Sequence, residues 1–267
     1  MDLLKQALAP IPEEAWDEIN DRAEEVILSQ LTARKILHVN GPHGILKRNA
    51  TTGRMGVINE AADQKVGSAL YTDYPLVETR IKFDLDRWEM DNAARGAKDI
   101  ELDNLEAAAE KLALYEEDAI YNGNDKAGIK GLKAIATHQL SLSGDANHDL
   151  GALAEGVLKL NDAYAEGPYD LAVGNDVFKF LNQMYQGGHL LKAVKKIIGG
   201  EVVRSQVLSG AVLVPRNHED LEMTIGQDYS VGYDTHDDKT LTLFIMNAFT
   251  FRCLDEDIIV AYDFKKK

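Results

Sequence analysis

Between Lys47 and Tyr74 the chain reads KRNATTGRMGVINEAADQKVGSALYTDY, with no sustained apolar run and no helical periodicity. Gly53, Gly56 and Gly67 interrupt short strand-like alternations, so the stretch is expected to form an extended arm or hairpin. Connections this long inside a compact domain are usually functional or packed against something else. This one is too poor in apolar residues to fold back on a core of its own. A neighbouring subunit is the expected surface.

The flanking sequence can build a core, since 45% of the 267 residues are hydrophobic. Pro12 is expected to open a helix in which Trp16, Ile19, Ala23, Val26 and Ile27 form one apolar stripe, running until just before Asn40–Gly44. PLVETRIKFDLDRW alternates well enough for a strand whose polar side faces solvent or another subunit. Asp103 with Glu106 has the spacing of a capping box, and Asp103 to Asn122 is rich in helix formers. Helices are expected again after Gly144, from Asn175 or Asp176, and between the turn YQGGH and Gly199–Gly200. GPYDLAVG reads as a buried strand, and from Val202 onward nearly every segment does. Helices and strands mix without regular alternation, which makes the fold class α+β.

The chemistry is sparse. LYEEDAIYNGNDKAGIKGL, from Leu114 to Leu132, places three acidic residues together, but on a helix they spread over different faces, and no histidine follows at di-metal spacing. NGNDKAG lacks the acidic twelfth position of a calcium loop, and Gly123 stands where a left-handed helix cap is expected. The stretch reads as a helix end, and no metal is expected. There is no phosphate loop, nucleophile elbow or paired-histidine motif, so the chain is not expected to be an enzyme. Cys253 is expected to be a buried structural thiol. A formal net charge of −15 argues against a nucleic-acid partner, and no apolar run is long enough to span a bilayer. The basic runs are limited to Lys192, Lys195 and Lys196, and then Lys265 to Lys267. No secretory leader is evident, and a single cysteine suits a reducing compartment, so a cytoplasmic protein is expected.

MDLLKQALAPIPEEAW, ARKILHVNGPHG, WEMDNAARG, AGIKGL, GPYDLAVG, IGQDYSVGY and FTFRCL follow one another as they do in the encapsulins, the linocin-like nanocompartment shell proteins, which the chain resembles from Met1 to about Val260. The resemblance implies the HK97-type fold of tailed-phage capsid proteins. A peripheral domain would comprise 1–46, 75–133 and 223–267, an extended loop 47–74, and an axial domain 134–222. It implies an icosahedral homo-oligomer enclosing a cargo enzyme, a ferritin-like protein or dye-decolourising peroxidase, with a role in iron storage or oxidative-stress defence. A C-terminal targeting peptide on the cargo would lie against Ile27, Leu31, Arg34, Ser230, Val231 and Tyr233. Tyr185, Gln186, Gly187, Gly188 and His189 would line a pore. FMN, which some members carry, would be held by Arg80 and Trp88. The alternatives are a phage or prophage major capsid protein and, from another class, a protease- or bacteriocin-type enzyme.

Overall fold

The computed structural model describes residues 3–59 and 66–265, so part of the expected loop, 60–65, and the last two lysines of the terminal basic run lie outside the described residues. The long helix α1 (Glu13–Gln30) begins after Pro12 and buries Ala15, Ile19, Ala23 and Ile27, one residue per turn; Trp16 and Val26 sit at the margin of that stripe. It stops nine residues earlier than the sequence pattern suggests. Leu31 and Thr32 break it, a short α2 (Ala33–Ile36) follows, and β1 (His38–Asn40) leads into the loop at Gly41. The cause is distant in sequence. The Glu117 carboxylate accepts the backbone N–H groups of Thr32 and Ala33, both at 2.8 Å, and so caps the start of α2 in place of another turn of α1.

The expected arm is an antiparallel hairpin, β2 (Asn49–Asn59) with β3 (Ser68–Pro75). Met55, Ile58, Leu70 and Tyr71 are all more than half exposed on it. Arg252 ties its root to the body by donating to the Thr51 carbonyl at 3.2 Å.

The chain then enters β4 (Val77–Asp86), α3 (Arg87–Ala94) and the long helix α4 (Asp103–Tyr121). The expected capping box is absent. Leu102 is the cap residue and Asp103 already lies inside the helix, while Glu106 is drawn away to accept from Arg22 Nε at 2.7 Å. Gly123 does take the left-handed conformation, with φ +96°.

After α5 (Leu132–Ile135) come β5 (His138–Leu142), α6 (Ala146–Asp162), β6 (Tyr169–Val173), α7 (Asn175–Leu181), β7 (Met184–Tyr185), β8 (Gly188–His189), α8 (Leu190–Ile198) and β9 (Gly199–Arg204). The chain ends with β10 (Ala211–Pro215), β11 (Leu221–Ile225), β12 (Ser230–His236), β13 (Thr240–Cys253) and β14 (Val260–Phe264). The cap of α7 is Gly174, not Asn175 or Asp176.

Two sheets organise these elements. In the first, β13 pairs β4 on one edge, and β12 and then β11 on the other; β11 continues to β1. The second runs β5-β14-β10-β6-β9. The expected boundary at residue 222 falls within β11, and β14, inside the expected peripheral segment 223–267, pairs in the second sheet. Val260, Ala261 and Tyr262 are fully buried and suit an inner strand, which they become between β10 and β5.

Two cores result, and they do not follow the sheets one to one, since Leu221, Met223 and Ile225 of β11 and Phe249 and Phe251 of β13 pack with the second sheet. One cluster packs α1, α3 and the first part of α4 against Phe83, Leu85, Leu241, Leu243 and Ile245. The other packs α6, α7 and α8 on the second sheet and takes in Ala119, Ile120 and Tyr121 from the end of α4. The single helix α4 thus passes from one core into the other. Glu116 and Glu117 sit at the crossing, both fully buried.

A peptide-sized groove between the first helix and an edge strand

Five of the six residues expected to receive a targeting peptide come together. Ile27, Leu31 and Arg34 from the α1–α2 corner, with Ser230 and Val231 from β12, line one cavity of about 340 Å³. Ile27, Leu31 and Val231 form its floor and are nearly inaccessible, so they belong to the core as much as to the groove. The apolar surface actually on offer is Leu28, which is 54% exposed on the same wall and was not singled out from the sequence. Tyr233 does not join them. Its hydroxyl turns to His236 Nδ1 at 2.6 Å.

One end of the groove is closed by a partly buried ion network. Arg34 donates from Nε and Nη2 to the two oxygens of Glu116, at 2.7 and 2.8 Å, and from Nη1 to Asp228 Oδ1 at 2.9 Å. Its guanidinium carbon lies 5.0 Å from the centre of the Tyr229 ring. Glu116 also accepts from the Tyr229 hydroxyl at 3.0 Å and from Asn247 Nδ2 at 2.8 Å. Burial alone would lower the Arg34 pKa, but the Glu116 hydrogen bonds and the charges of Glu116 and Asp228 raise it. The Tyr229 phenol is pushed up first by burial and then by the Glu116 charge, so it keeps the proton it donates. Arg34 is therefore neutralised from within, and its role at the groove is to fix a wall.

Glu117 points the other way along α4. Besides the two α2 amides it accepts from the Thr32 hydroxyl and from Ser205 Oγ at 3.1 Å. Burial raises its pKa against the opposing pull of these four donors. Because Ser205 follows β9 of the second sheet, one carboxylate fastens α1–α2, α4 and the second sheet together. The acidic triplet at 116–118 is architectural, as its sequence suggested, but its first two members are buried at the join and not displayed at a helix end. Their positions four residues after Leu112 and Ala113 on the buried stripe carried that signal.

The other singled-out residues lie elsewhere. Tyr185 to His189 form the tip of the β7–β8 hairpin, with Gln186 at φ +47° and Gly187 at φ +83°, the two left-handed residues of a two-residue turn. Tyr185 donates to Asn147 Oδ1 at 2.6 Å, and His189 Nδ1 lies 3.1 Å from the Asn182 carbonyl. Arg80 and Trp88 are not brought together within one chain. The Arg80 guanidinium lies over the Phe244 ring at 4.3 Å, whereas Trp88 sits in α3, 67% exposed, with its amide capped by Asp86. The six strand steps from Arg80 to Asp86 cover about 20 Å. Cys253 is half-buried, donates to the Asp255 carbonyl at 3.2 Å, and has its thiol pushed up to about 12, chiefly by burial. No group of His, Cys, Asp and Glu among the described residues has the arrangement to hold a metal ion.

A helix shared by two cores, a protruding hairpin and a helix-covered second sheet define a capsid-type subunit. Solved structures agree. The virus-like particle from Pyrococcus furiosus superposes with a TM-score of 0.68 over 93% of this chain and 99% of that one, at 16% identity. The capsid of Myoviridae phage XM1 gives 0.54 over 84% and 89%, at 12% identity. Residues 1–250 match the family described as encapsulating protein for peroxidase, and the chain belongs to this family, the encapsulin shell proteins. Curated relatives include the type 1 encapsulin shell protein of Rhodospirillum rubrum, 33% identical over 97% of this chain and 96% of its own length. That of Mycolicibacterium paratuberculosis is 30% identical over 97% and 98%.

Proposed function

We propose that copies of this chain close into an icosahedral shell in the cytoplasm around a cargo enzyme, and that the groove between α1 and β12 receives the cargo's C-terminal peptide. The observation that supports this most is the groove itself. It is apolar and open, bounded by the half-exposed Leu28 and held rigid by the Arg34–Glu116–Asp228 network. An extended peptide would gain affinity by covering such side chains, each worth ~1.5–3 kcal/mol when fully buried. The family's description favours a peroxidase as cargo over a ferritin-like protein. It also favours an enclosing shell over a phage capsid, since the phage structures, at 11–17% identity, share only the fold. The shell then supplies enclosure and the cargo supplies catalysis.

Leu28→Asp tests the groove without opening the core, because more than half of that side chain already faces solvent. The variant should form normal shells. Co-expressed with a dye-decolourising peroxidase carrying its native C-terminal tail, it should retain at most about a tenth of the normal cargo, the loss expected from ~1.4 kcal/mol. Normal loading would place the peptide elsewhere.

A further inference from the structure

β12 ends the first sheet, and among the described residues no strand lies on its outer edge. The edge is nevertheless occupied. The Tyr233 amide donates to the Leu4 carbonyl at 2.8 Å, and Gln6 Nε2 donates to the Val231 carbonyl at 2.8 Å. The N-terminal segment thus satisfies the outward-facing backbone of the strand whose Ser230 and Val231 line the groove.

Three observations mark this contact as displaceable. First, the short 3-10 turn Gln6–Leu8 buries no side chain, and none of the residues from Leu3 to Leu8 is fully buried. Second, Lys5, between the two contact residues, takes a left-handed conformation with φ +51° and ψ +25°, which is unfavourable for a residue with a Cβ. That bend turns the backbone off β12 after Leu4 and leaves the next contact to the side chain of Gln6. Third, Leu3 and Leu8 are exposed beside the strand, so the segment has the apolar character that the adjoining groove would select in a ligand.

We propose that the outer edge of β12 at Val231 and Tyr233 is a strand-addition site for an extended apolar peptide, and that residues Leu3–Leu8 are a built-in strap that such a peptide displaces. Addition to a sheet edge draws affinity from main-chain hydrogen bonds, while neighbouring pockets sort the side chains. The incoming chain would take the Val231 carbonyl and the Tyr233 amide and lay alternate side chains toward Leu28. The strap lowers affinity for any peptide too weak to compete and keeps an exposed edge from pairing with the wrong chain. This rests on the reading of the groove as a peptide site.

The test uses shells of the full chain, of a variant beginning at Ala9, and of Gln6→Ala, each taken apart and reassembled in the presence of the probe so that it reaches the interior face. The probe is a fluorescent synthetic peptide copying residues 3–8, Leu-Leu-Lys-Gln-Ala-Leu, titrated into the millimolar range. Anisotropy reads binding, and hydrogen exchange reads protection around Val231–Tyr233. The shortened shell should bind the probe at least about tenfold more tightly than the full chain, and Gln6→Ala should fall between them, as loss of one hydrogen bond predicts. Exchange at Tyr233 should be slow in the full chain, fast in the shortened shell, and slow again when the probe is added. Equal affinity for all three shells, binding to none, or exchange at Tyr233 indifferent to the segment would overturn the proposal. If the shortened shell does not assemble, Gln6→Ala against the full chain decides alone, since it removes one contact and uncovers no core. Normal cargo loading with strap-independent probe binding would remove the strap and leave the groove standing. Failure of loading to respond to Leu28→Asp would remove the groove.

Discussion

Along α4 the side chains from Leu105 to Tyr121 are mostly buried, down to two glutamates with every donor accounted for, whereas in β3 each residue from Ser68 to Asp73 is exposed. Both elements carry apolar residues. What differs is where the complementary surface lies. For α4 it is supplied by α1, the first sheet and the loop before β10 in the same chain. For the hairpin, Met55, Ile58, Leu70 and Tyr71 find no such surface among the described residues. The subunit's own stability is concentrated in the one, and the surface left over for other copies in the other.

The contrast can be broken first at the hairpin. Met55 and Tyr71 face each other across β2 and β3, and the double variant Met55→Glu, Tyr71→Glu should abolish particles, because every copy loses the burial of two large side chains. Far-ultraviolet circular dichroism of the released subunit should be unchanged. Particles of normal size would mean that the hairpin does not carry assembly.

The opposite failure is expected along α4. Glu116→Ala leaves the largely buried Arg34 without its main partner and should cost about 3–5 kcal/mol, read as a lower unfolding midpoint. Glu117→Ala strands the amides of Thr32 and Ala33 and should cost about 2–6 kcal/mol, from ~1–3 for each buried donor.

Glu117→Gln should separate from wild type as pH changes. Burial raises the native Glu117 pKa, so the folded chain holds that proton more tightly than the unfolded chain. Its contribution to stability is then full below the unfolded carboxylate value and is lost as pH rises through the raised native value. The amide retains an acceptor for the two backbone N–H groups and cannot ionise. Thermal unfolding of both proteins across that window should show wild type losing ground to Glu117→Gln as pH rises; a constant difference would contradict the assignment. The smallest effect is expected at the surface pair Lys82–Asp234, where Lys82→Ala should change stability by less than about 1 kcal/mol.

The hairpin was legible in the sequence because it is defined by what it lacks, and absence of apolar periodicity needs no knowledge of the rest of the fold. The strands of the C-terminal half and the helix following Asp103 were legible for the converse reason, each having a strong local pattern. The early stop of α1 was not. Its apolar spacing runs on through Leu31, and the interruption comes from a carboxylate 85 residues later in the chain. β14 was recognised as a strand, but its place in the second sheet was not legible, since pairing with β10 and β5 is a long-range choice. The same limit applies at the groove. A family resemblance located Ile27, Leu31, Arg34, Ser230 and Val231, while Leu28, Asp228 and the strap at Leu4 and Gln6 emerge only once α1 and β12 face each other.

A hairpin this exposed implies that the chain is incomplete until copies of itself cover it. Negative-stain electron microscopy of the purified chain at micromolar concentration, with no cargo and no other protein present, tests it most directly. Closed, hollow particles of uniform size are predicted. A homogeneous population of folded monomers, with the hairpin left in water, would contradict it.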